Sequence, residues 1–344
     1  MVTIYDIARA AGVAKSTVAN ALSGKGTVSE ATRQRVLQYA QEMGYRPNVL
    51  ARSFYNHKTL TIALVLPTIT NPFYPEIIEA IEQAAGERDY QTLFSNTHLN
   101  FEFGRQQMER MMSRWIDGYI IMGCSMDIAD IVQYFQEGLP VVLCDWQENE
   151  VPEGIPQVSV DFYRAGQLAA QHLLDLGHRK MAVIFDEPQQ TLRVEGFVSV
   201  LQTAGLTLPP LMKERGASTL ESGYDAAKKL LQQPERPTAI FATTDWMAFG
   251  AIDAVLDAGL RVPEDVSIIG LDDIMLSAHL RPPLTTVAVP KIQLAREATH
   301  LLFKQIDGEK DSAATALVEP YLVVRQSTTH IQEQTDERQA SAHC

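Results

Sequence analysis

The sequence predicts a small all-α helix-turn-helix head followed by a two-lobed α/β body of doubly wound parallel sheets. Three observations carry that prediction. Charge divides along the chain: residues 1–58 hold eight Lys/Arg against three Asp/Glu, while the remainder holds 21 against 39, giving +5 and −18. The opening segment shows three short amphipathic periods separated by Gly-containing turns. From Thr59 onward, short β-branched apolar runs alternate with amphipathic stretches.

At 344 residues the chain exceeds one ordinary core, so two or three compact units are expected. No stretch approaches the roughly 18 uninterrupted apolar residues of a membrane span, and no membrane partner is expected. The opening MVTIYDIARA lacks a basic region followed by an apolar run, so no export signal is read and a cytoplasmic location is expected. Cys124, Cys144 and Cys344 have no metal-ligand spacing, and an odd count makes a poor disulfide framework. The eight histidines form no HExxH cluster, so neither a metal nor a cofactor is expected.

In the head, Ile4, Ile7, Ala8 and Ala11 recur at helical spacing, with Thr3 as cap and Asp6 in the first turn. Gly12 breaks this run. A second helix is expected from Lys15 to Leu22, and a third after Ser29 with Val36, Leu37, Ala40 and Met43 as its stripe, closed by Gly44. If Val18, Ala21 and Leu22 face inward, Lys15, Ser16, Ala19 and Asn20 face outward, with Thr17 at the edge. Short polar side chains suit a helix seated in the major groove, and Asn pairs bidentately with adenine. A helical pair that serves only as a packing module is the alternative. Residues 49–56 are helical in period but only about two turns long, too short to order alone in water. There Arg52 suits a phosphate or a narrow groove, and Phe54 is an apolar wedge for the minor groove. A plain linker docked on the body is the alternative reading.

The segment TIYDIARAAGVAKSTVANALSGKGTVSEATRQRVLQYAQEMGYRPNVLARSF resembles the DNA-binding head of the LacI/GalR family of transcription repressors. The resemblance implies that Lys15, Ser16 and Asn20 read bases, that Thr17 supports phosphate contacts and that Phe54 is the hinge wedge. The family usually has Leu at that wedge and Ser where Ala19 stands.

In the body, strands are expected at Thr61–Pro67, Tyr90–Asn96, Asp117–Gly123, Leu139–Asp145, Lys180–Phe185, Thr238–Thr243 and Val266–Leu271. Helices are expected near Tyr74–Asp89, Phe101–Trp115, Ile128–Glu137, Phe162–Leu176, Leu192–Ala204, Glu221–Gln232 and Trp246–Ala258. Ligands of open α/β sheets bind beyond the carboxyl ends of the strands. Those positions hold Asn71, Phe73, Tyr74, Asp145, Trp146, Asp245, Trp246, Asp272 and Asp273, with Arg193 after a loop. Carboxylates, a guanidinium and aromatic faces orient a polar small molecule. Helix capping is the alternative for Asp161 and Asp245.

LTIALVLPTITNPFYPEIIEAIE, DGYIIMG, GHRKMAVI, RPTAIFATTDWMAFGA, LRVPEDVSIIGLDD and RPPLTTV resemble the effector core of the same family, which has the type I periplasmic-binding-protein fold. The resemblance runs to about residue 326. It implies effector contacts at Phe73, Tyr74, Asp145, Trp146, Arg193 and Asp272, with Asp245 nearby. Val289 replaces a frequent Gln, Ser218 stands where the purine-responsive branch is aromatic, and the loop at 189–191 is shorter; these departures argue against a purine. The implied organisation is residues 1–47 for DNA binding, 48–58 as hinge helix, 59–326 for effector binding and dimerisation, and 327–344 as a polar tail without leucine heptads.

The expected function is a transcriptional repressor that binds a pseudo-palindromic double-stranded operator as a homodimer and is controlled by a small effector, a sugar or polyol. Two DNA-reading units related by a two-fold match half-sites one turn apart. A purine or a phosphoprotein co-effector is the alternative within regulation. A sugar-binding transport protein and an enzyme with a doubly wound fold are the rivals from other classes. The basic head opposes the first. No GxGxxG after the first strand, no P-loop and no GxSxG supports the second, so no catalytic residue is expected.

Overall fold

A computed structural model describes residues 2–23, 26–45, 58–114, 116–123, 126–146, 154–186, 190–309 and 315–331. Arg52 and Phe54, read as hinge residues, the cysteines Cys124 and Cys344, residues 187–189 and those beyond Ile331 lie outside the described residues. The chain divides into two compact units at Thr59/Leu60.

Among the described residues the head unit carries three helices, α1 (Ile4–Ala11), α2 (Lys15–Ser23) and α3 (Glu30–Glu42). Asp6 reaches back to the amide of Thr3 at 2.9 Å and to its hydroxyl at 2.7 Å, which fixes the first turn of α1. Ser29 Oγ accepts the Thr32 amide at the start of α3. Ile7, Ala11, Val18, Ala21, Val36 and Ala40 close the core, one pair from each helix. Leu37, read as part of the buried stripe, is 40% exposed. It lies one residue, about 100°, round the helix from Val36, and Tyr39 packs against the core in its stead.

The body carries two six-stranded sheets. The first is ordered β11-β5-β4-β3-β1-β2, from β1 (Thr61–Leu66), β2 (Gln91–Asn96), β3 (Gly118–Met122), β4 (Val141–Cys144), β5 (Gln157–Val160) and β11 (Thr315–Val318). All its pairings are parallel. The second is ordered β12-β10-β9-β8-β6-β7, from β6 (Met181–Phe185), β7 (Lys213–Arg215), β8 (Ala239–Ala242), β9 (Ser267–Asp272), β10 (Thr285–Ala288) and β12 (Tyr321–Val323). Here only the edge strand β12 runs antiparallel.

Helices α4 (Phe73–Gly86), α5 (Phe101–Met112) and α6 (Ile128–Gln136) flank the first sheet. Helices α7 (Phe162–Asp175), α8 (Thr191–Thr203), α9 (Leu220–Leu231) and α10 (Asp245–Asp257) flank the second. Helix α11 (Lys291–Ile306) returns to pack on α4, β3 and β4 of the first lobe. The chain therefore passes between lobes three times, at Asp161, at Pro290 and at Glu319–Pro320. Five strands were not read from the sequence: β5, β10, β11 and β12, which border the crossings, and the edge strand β7, each only three or four residues long.

Helices α7 and α8 touch backbone to backbone. A Cβ on Gly196 would lie 1.9 Å from the Tyr163 carbonyl oxygen, and one on Gly166 2.0 Å from that of Arg193. Only glycine permits this crossing, and the crossing sets where Arg193 stands.

Residues 327–331 extend the second lobe. Ser327 is buried, its hydroxyl donating to the Ile268 carbonyl at 2.6 Å and its carbonyl accepting the Ile268 amide at 2.7 Å. Ile331 donates its amide to Leu176. Hydroxyl side chains make this segment polar in composition, yet they satisfy buried backbone groups, so polarity alone did not mark an exposed tail.

Candidate effector cleft and nucleic-acid interface

In α2, Val18 and Ala21 are buried, while Lys15, Ser16 and Asn20 are exposed and Thr17 is half-buried. The outward face thus carries the short polar set read from the sequence. Lys15 Nζ donates to Tyr5 Oη at 2.9 Å and lies 4.4 Å from the centroid of that ring. This contact lowers the pKa of the Tyr5 phenol. Tyr5 was not singled out in the sequence; its signal was an aromatic at a non-core position of α1. Asn20 leans on Gly26, where a Cβ would come within 2.9 Å of Asn20 Nδ2.

In both sheets the order reverses beside the first strand of the lobe, between β1 and β3 and between β6 and β8. Such switch points open a crevice at the strands' carboxyl ends. On the first lobe, the Asn71 side chain accepts the Phe73 amide and starts α4. Phe73 is buried and meets Tyr74 edge-on at 5.4 Å. A Cβ on Gly123, at the end of β3, would lie 3.6 Å from Tyr74 Oη, which places the hydroxyl at that strand end. Asp145 follows β4 with φ 54 and is buried.

Trp146 stands apart from the expected contacts. Its ring packs with Val65, Tyr119, Met126, Val141 and Leu143, the side of the first sheet opposite to the cluster that holds Phe73 and Cys144. Alternation would have put Trp146 on the face of Val142 and Cys144; the strand ends at Cys144, and Asp145 at φ 54 turns the chain so that Trp146 joins the face of Val141 and Leu143 instead. Its Nε1 has no hydrogen-bond partner among the described residues.

On the second lobe, Asp186 follows β6 and Thr243 follows β8. Gln190 bridges them: its Oε1 accepts the Asp186 amide and the Thr243 hydroxyl, and its Nε2 donates to Ser218 Oγ at 2.9 Å. Ser218 in turn donates to Asp186 Oδ2 at 2.8 Å. Arg193, 3% exposed, donates to the Thr243 carbonyl and lies with its guanidinium 4.0 Å above the Phe162 ring centroid. Its Nε is unpartnered among the described residues. Burial raises the Asp186 carboxyl pKa, opposed by the Ser218 hydrogen bond and by Arg193.

Asp272 ends β9 with φ 128 and Asp273 follows with φ 51. Burial pushes the Asp272 carboxyl well above its usual range; Arg193 and Lys291 pull it back, while Asp245 and Asp145 push with the burial. Carboxylates from both lobes thus share one field with two cations. Non-glycine residues at positive φ cost about 1–3 kcal/mol each, and of the eight among the described residues four, Asp145, Ser218, Asp272 and Asp273, stand here.

Asp245, expected near the ligand, is fully enclosed. One oxygen accepts Thr286 Oγ1 at 2.6 Å; the other accepts the Ile274 amide at 3.0 Å and the Ser277 hydroxyl. Three hydrogen bonds thus commit its carboxylate to β10 and to the turn after β9. Nor is it the cap of α10, a task taken by Thr244 Oγ1. Asp161 does cap α7, accepting the Arg164 amide at 2.7 Å. The sequence reading missed Asp186, Gln190 and Thr243, although two of them directly follow strands. Among the described residues no cluster of three or more His, Cys, Asp or Glu is arranged to hold a metal, and no helix is long and apolar enough to cross a membrane.

A family profile described as bacterial regulatory proteins, lacI family, matches residues 3–48, and one described as a periplasmic binding protein-like domain matches residues 170–328. Catabolite control protein A of Priestia megaterium is 35% identical over 331 residues, which covers 95% of this chain and 99% of that protein. The HTH-type transcriptional repressor PurR of Haemophilus influenzae (strain PittEE) is 35% identical over 340 residues, covering 96% and 100%. The lac repressor dimer, solved bound to operator and the anti-inducer ONPF, superposes with a TM-score of 0.86 at 25% identity, covering 95% and 99%.

Proposed function

The chain belongs to the LacI family of bacterial transcriptional repressors, and from that premise we propose that it is a homodimeric operator-binding repressor switched by a sugar or polyol. In this reading Lys15, Ser16 and Asn20 contact base edges and Thr17 contacts phosphate. Arg52 and Phe54 act from the hinge at 48–58, a role that rests on the sequence. The effector sits between Phe73, Tyr74 and Asp145 on one lobe and Arg193 and Asp272 on the other. Trp146 and Asp245 support the walls without touching it. No bond is made or broken; the protein works by differential binding, in the cytoplasm where its operator is.

The observation that carries the effector class is that Asp145 of one lobe and Arg193 and Asp272 of the other are all buried at strand-end positions, near enough for their charges to act on one another. Carboxylates accept hydroxyl protons, a guanidinium donates to ring or hydroxyl oxygens, and Tyr74 supplies an apolar face. A purine is the second reading, favoured by the similarity to PurR. Ser218, tied to Gln190 and Asp186, leaves the second lobe a polar wall at that point.

Titrating operator DNA with the full-length protein in the presence of D-ribose, D-glucose, sucrose, cellobiose or hypoxanthine tests both. A change in operator affinity with a sugar supports the proposal. A change with hypoxanthine alone moves the assignment to the purine.

A further inference from the structure

Glu76 and Lys291 join the two lobes across the crevice. Glu76 lies in the first turn of α4, and Lys291 opens α11, which packs against α4. Lys291 is only 7% exposed although it carries a full charge. Its Nζ lies 3.4 Å from Glu76 Oε2 and donates to the carbonyls of Asp272 at 2.8 Å and Asp273 at 2.6 Å. Glu76 Oε1 accepts the Met275 amide at 3.1 Å. One ion pair of the first lobe thus holds three backbone groups of the turn 272–275 in the second.

The same turn is fastened within its own lobe. Asp245 takes the Ile274 amide from below, and Arg325 pairs with Asp273 Oδ1 at 2.6 Å from the side. These contacts would hold the turn's shape wherever the lobes stood. Among the hydrogen bonds and ion pairs of the described residues, those of Glu76 and Lys291 fix it against the first lobe. A charge-assisted hydrogen bond is roughly twice as strong as a neutral one, and a lysine this enclosed is retained only if its partners offset its lost hydration; the Glu76 side chain is itself 37% exposed.

We propose that Glu76 and Lys291 form a lock that holds the lobes closed on the turn 272–275 before any effector arrives, and so positions Asp272 for it. The role of Asp272 rests on the effector reading above; the lock itself does not. An effector that bridges both lobes needs the closed arrangement, and its apparent affinity scales with the fraction of protein already in it. Glu76 and Lys291 are positioning residues in this scheme and need touch no ligand.

The test uses the full-length protein without ligand. Amide hydrogen exchange over 272–277 and the radius of gyration from small-angle scattering are compared for wild type, Glu76→Gln, Lys291→Met and the control Glu79→Gln, an exposed acid on the same helix. The expected result is exchange at 272–277 about tenfold faster or more in Glu76→Gln and Lys291→Met, with an expanded radius, unchanged protection elsewhere in the second lobe and a silent control. Exchange at 272–277 unchanged in Glu76→Gln, or faster exchange without expansion, overturns the lock. Should Lys291→Met lose protection along the whole chain, Glu76→Gln decides alone. Because no effector is added, failure of the metabolite titration and failure of this experiment are separate outcomes.

Discussion

The Asp245 carboxylate accepts the Thr286 hydroxyl at 2.6 Å, which ties the head of α10 to β10 beneath the crevice. The amide of Ile274 and the hydroxyl of Ser277 converge on its other oxygen. Replacing Asp245 with Ala leaves these buried donors without an acceptor, and each costs about 1–3 kcal/mol. We expect Asp245→Ala to lose about 3 kcal/mol or more by urea denaturation. A loss under about 1 kcal/mol would assign the residue a different role.

The α7–α8 crossing predicts a steric effect of opposite character from its control. Gly196→Ala drives a methyl into the Tyr163 carbonyl and should cost about 3 kcal/mol. Gly86→Ala, at the last turn of α4 where a Cβ meets nothing within 4 Å, should be neutral or stabilising by up to about 1 kcal/mol. Thermal denaturation of the two variants side by side checks both.

Arg193 is expected to be intolerant of even a conservative change. Lysine keeps the charge but loses the planar fork that reaches Thr243 while lying on Phe162. Arg193→Lys should weaken the response to whichever compound shifts operator affinity by about tenfold, roughly 1.4 kcal/mol. Operator binding without that compound should be unaltered. An equal loss in both titrations would make Arg193 a structural residue only.

Histidines beneath the second sheet set an acid limit on stability. His178 Nε2 donates to the Thr329 carbonyl at 3.1 Å, and His172 meets Thr328 at 2.9 Å. Burial lowers the pKa of both below 6.5. The unfolded chain therefore holds these protons more tightly than the folded one. Their contribution is complete above about pH 6.5 and is lost as pH falls toward the folded-state value. His178→Gln should give a shallower decline in stability between about pH 7 and about pH 5 than wild type. Denaturation at stepped pH measures it, and superimposable profiles would remove His178 from the account.

In the head, Asn20→Ala should flatten preference at one base pair by about 1–3 kcal/mol while leaving non-specific binding intact. Tyr5→Phe removes the hydroxyl that anchors Lys15 and should have a smaller effect on the same operator. Competition binding against single-base variants of the operator separates the two. Equal weakening on specific and random DNA would take Asn20 out of the base-reading set.

Much of this was legible in the sequence because local periodicity and burial agree. Val18 and Ala21 had to face inward once Lys15, Ser16 and Asn20 were polar, and the head is built so. Strand-end positions located Phe73, Tyr74, Asp145 and Asp272 in the body. The surroundings of Trp146 and Asp245 were not legible: a residue type shows what it can bind, whereas the direction of its side chain is set by a backbone turn such as that at Asp145 and by donors far along the chain, such as Thr286. Lys291 and Glu76 were illegible for a related reason. They lie more than two hundred residues apart, and only the return of α11 to the first lobe brings them together.

That return also orders events during synthesis. The first sheet is finished at its edge by β11, residues 315–318, and carries α11 on one face, so neither lobe is a continuous stretch of polypeptide. A ribosome releases the head as a self-contained unit early, whereas the amino-proximal lobe must wait, with β5 unpaired on its outer side, until residues 315–318 have been made. A premature stop before residue 315 would therefore spoil the earlier-made lobe along with the later one.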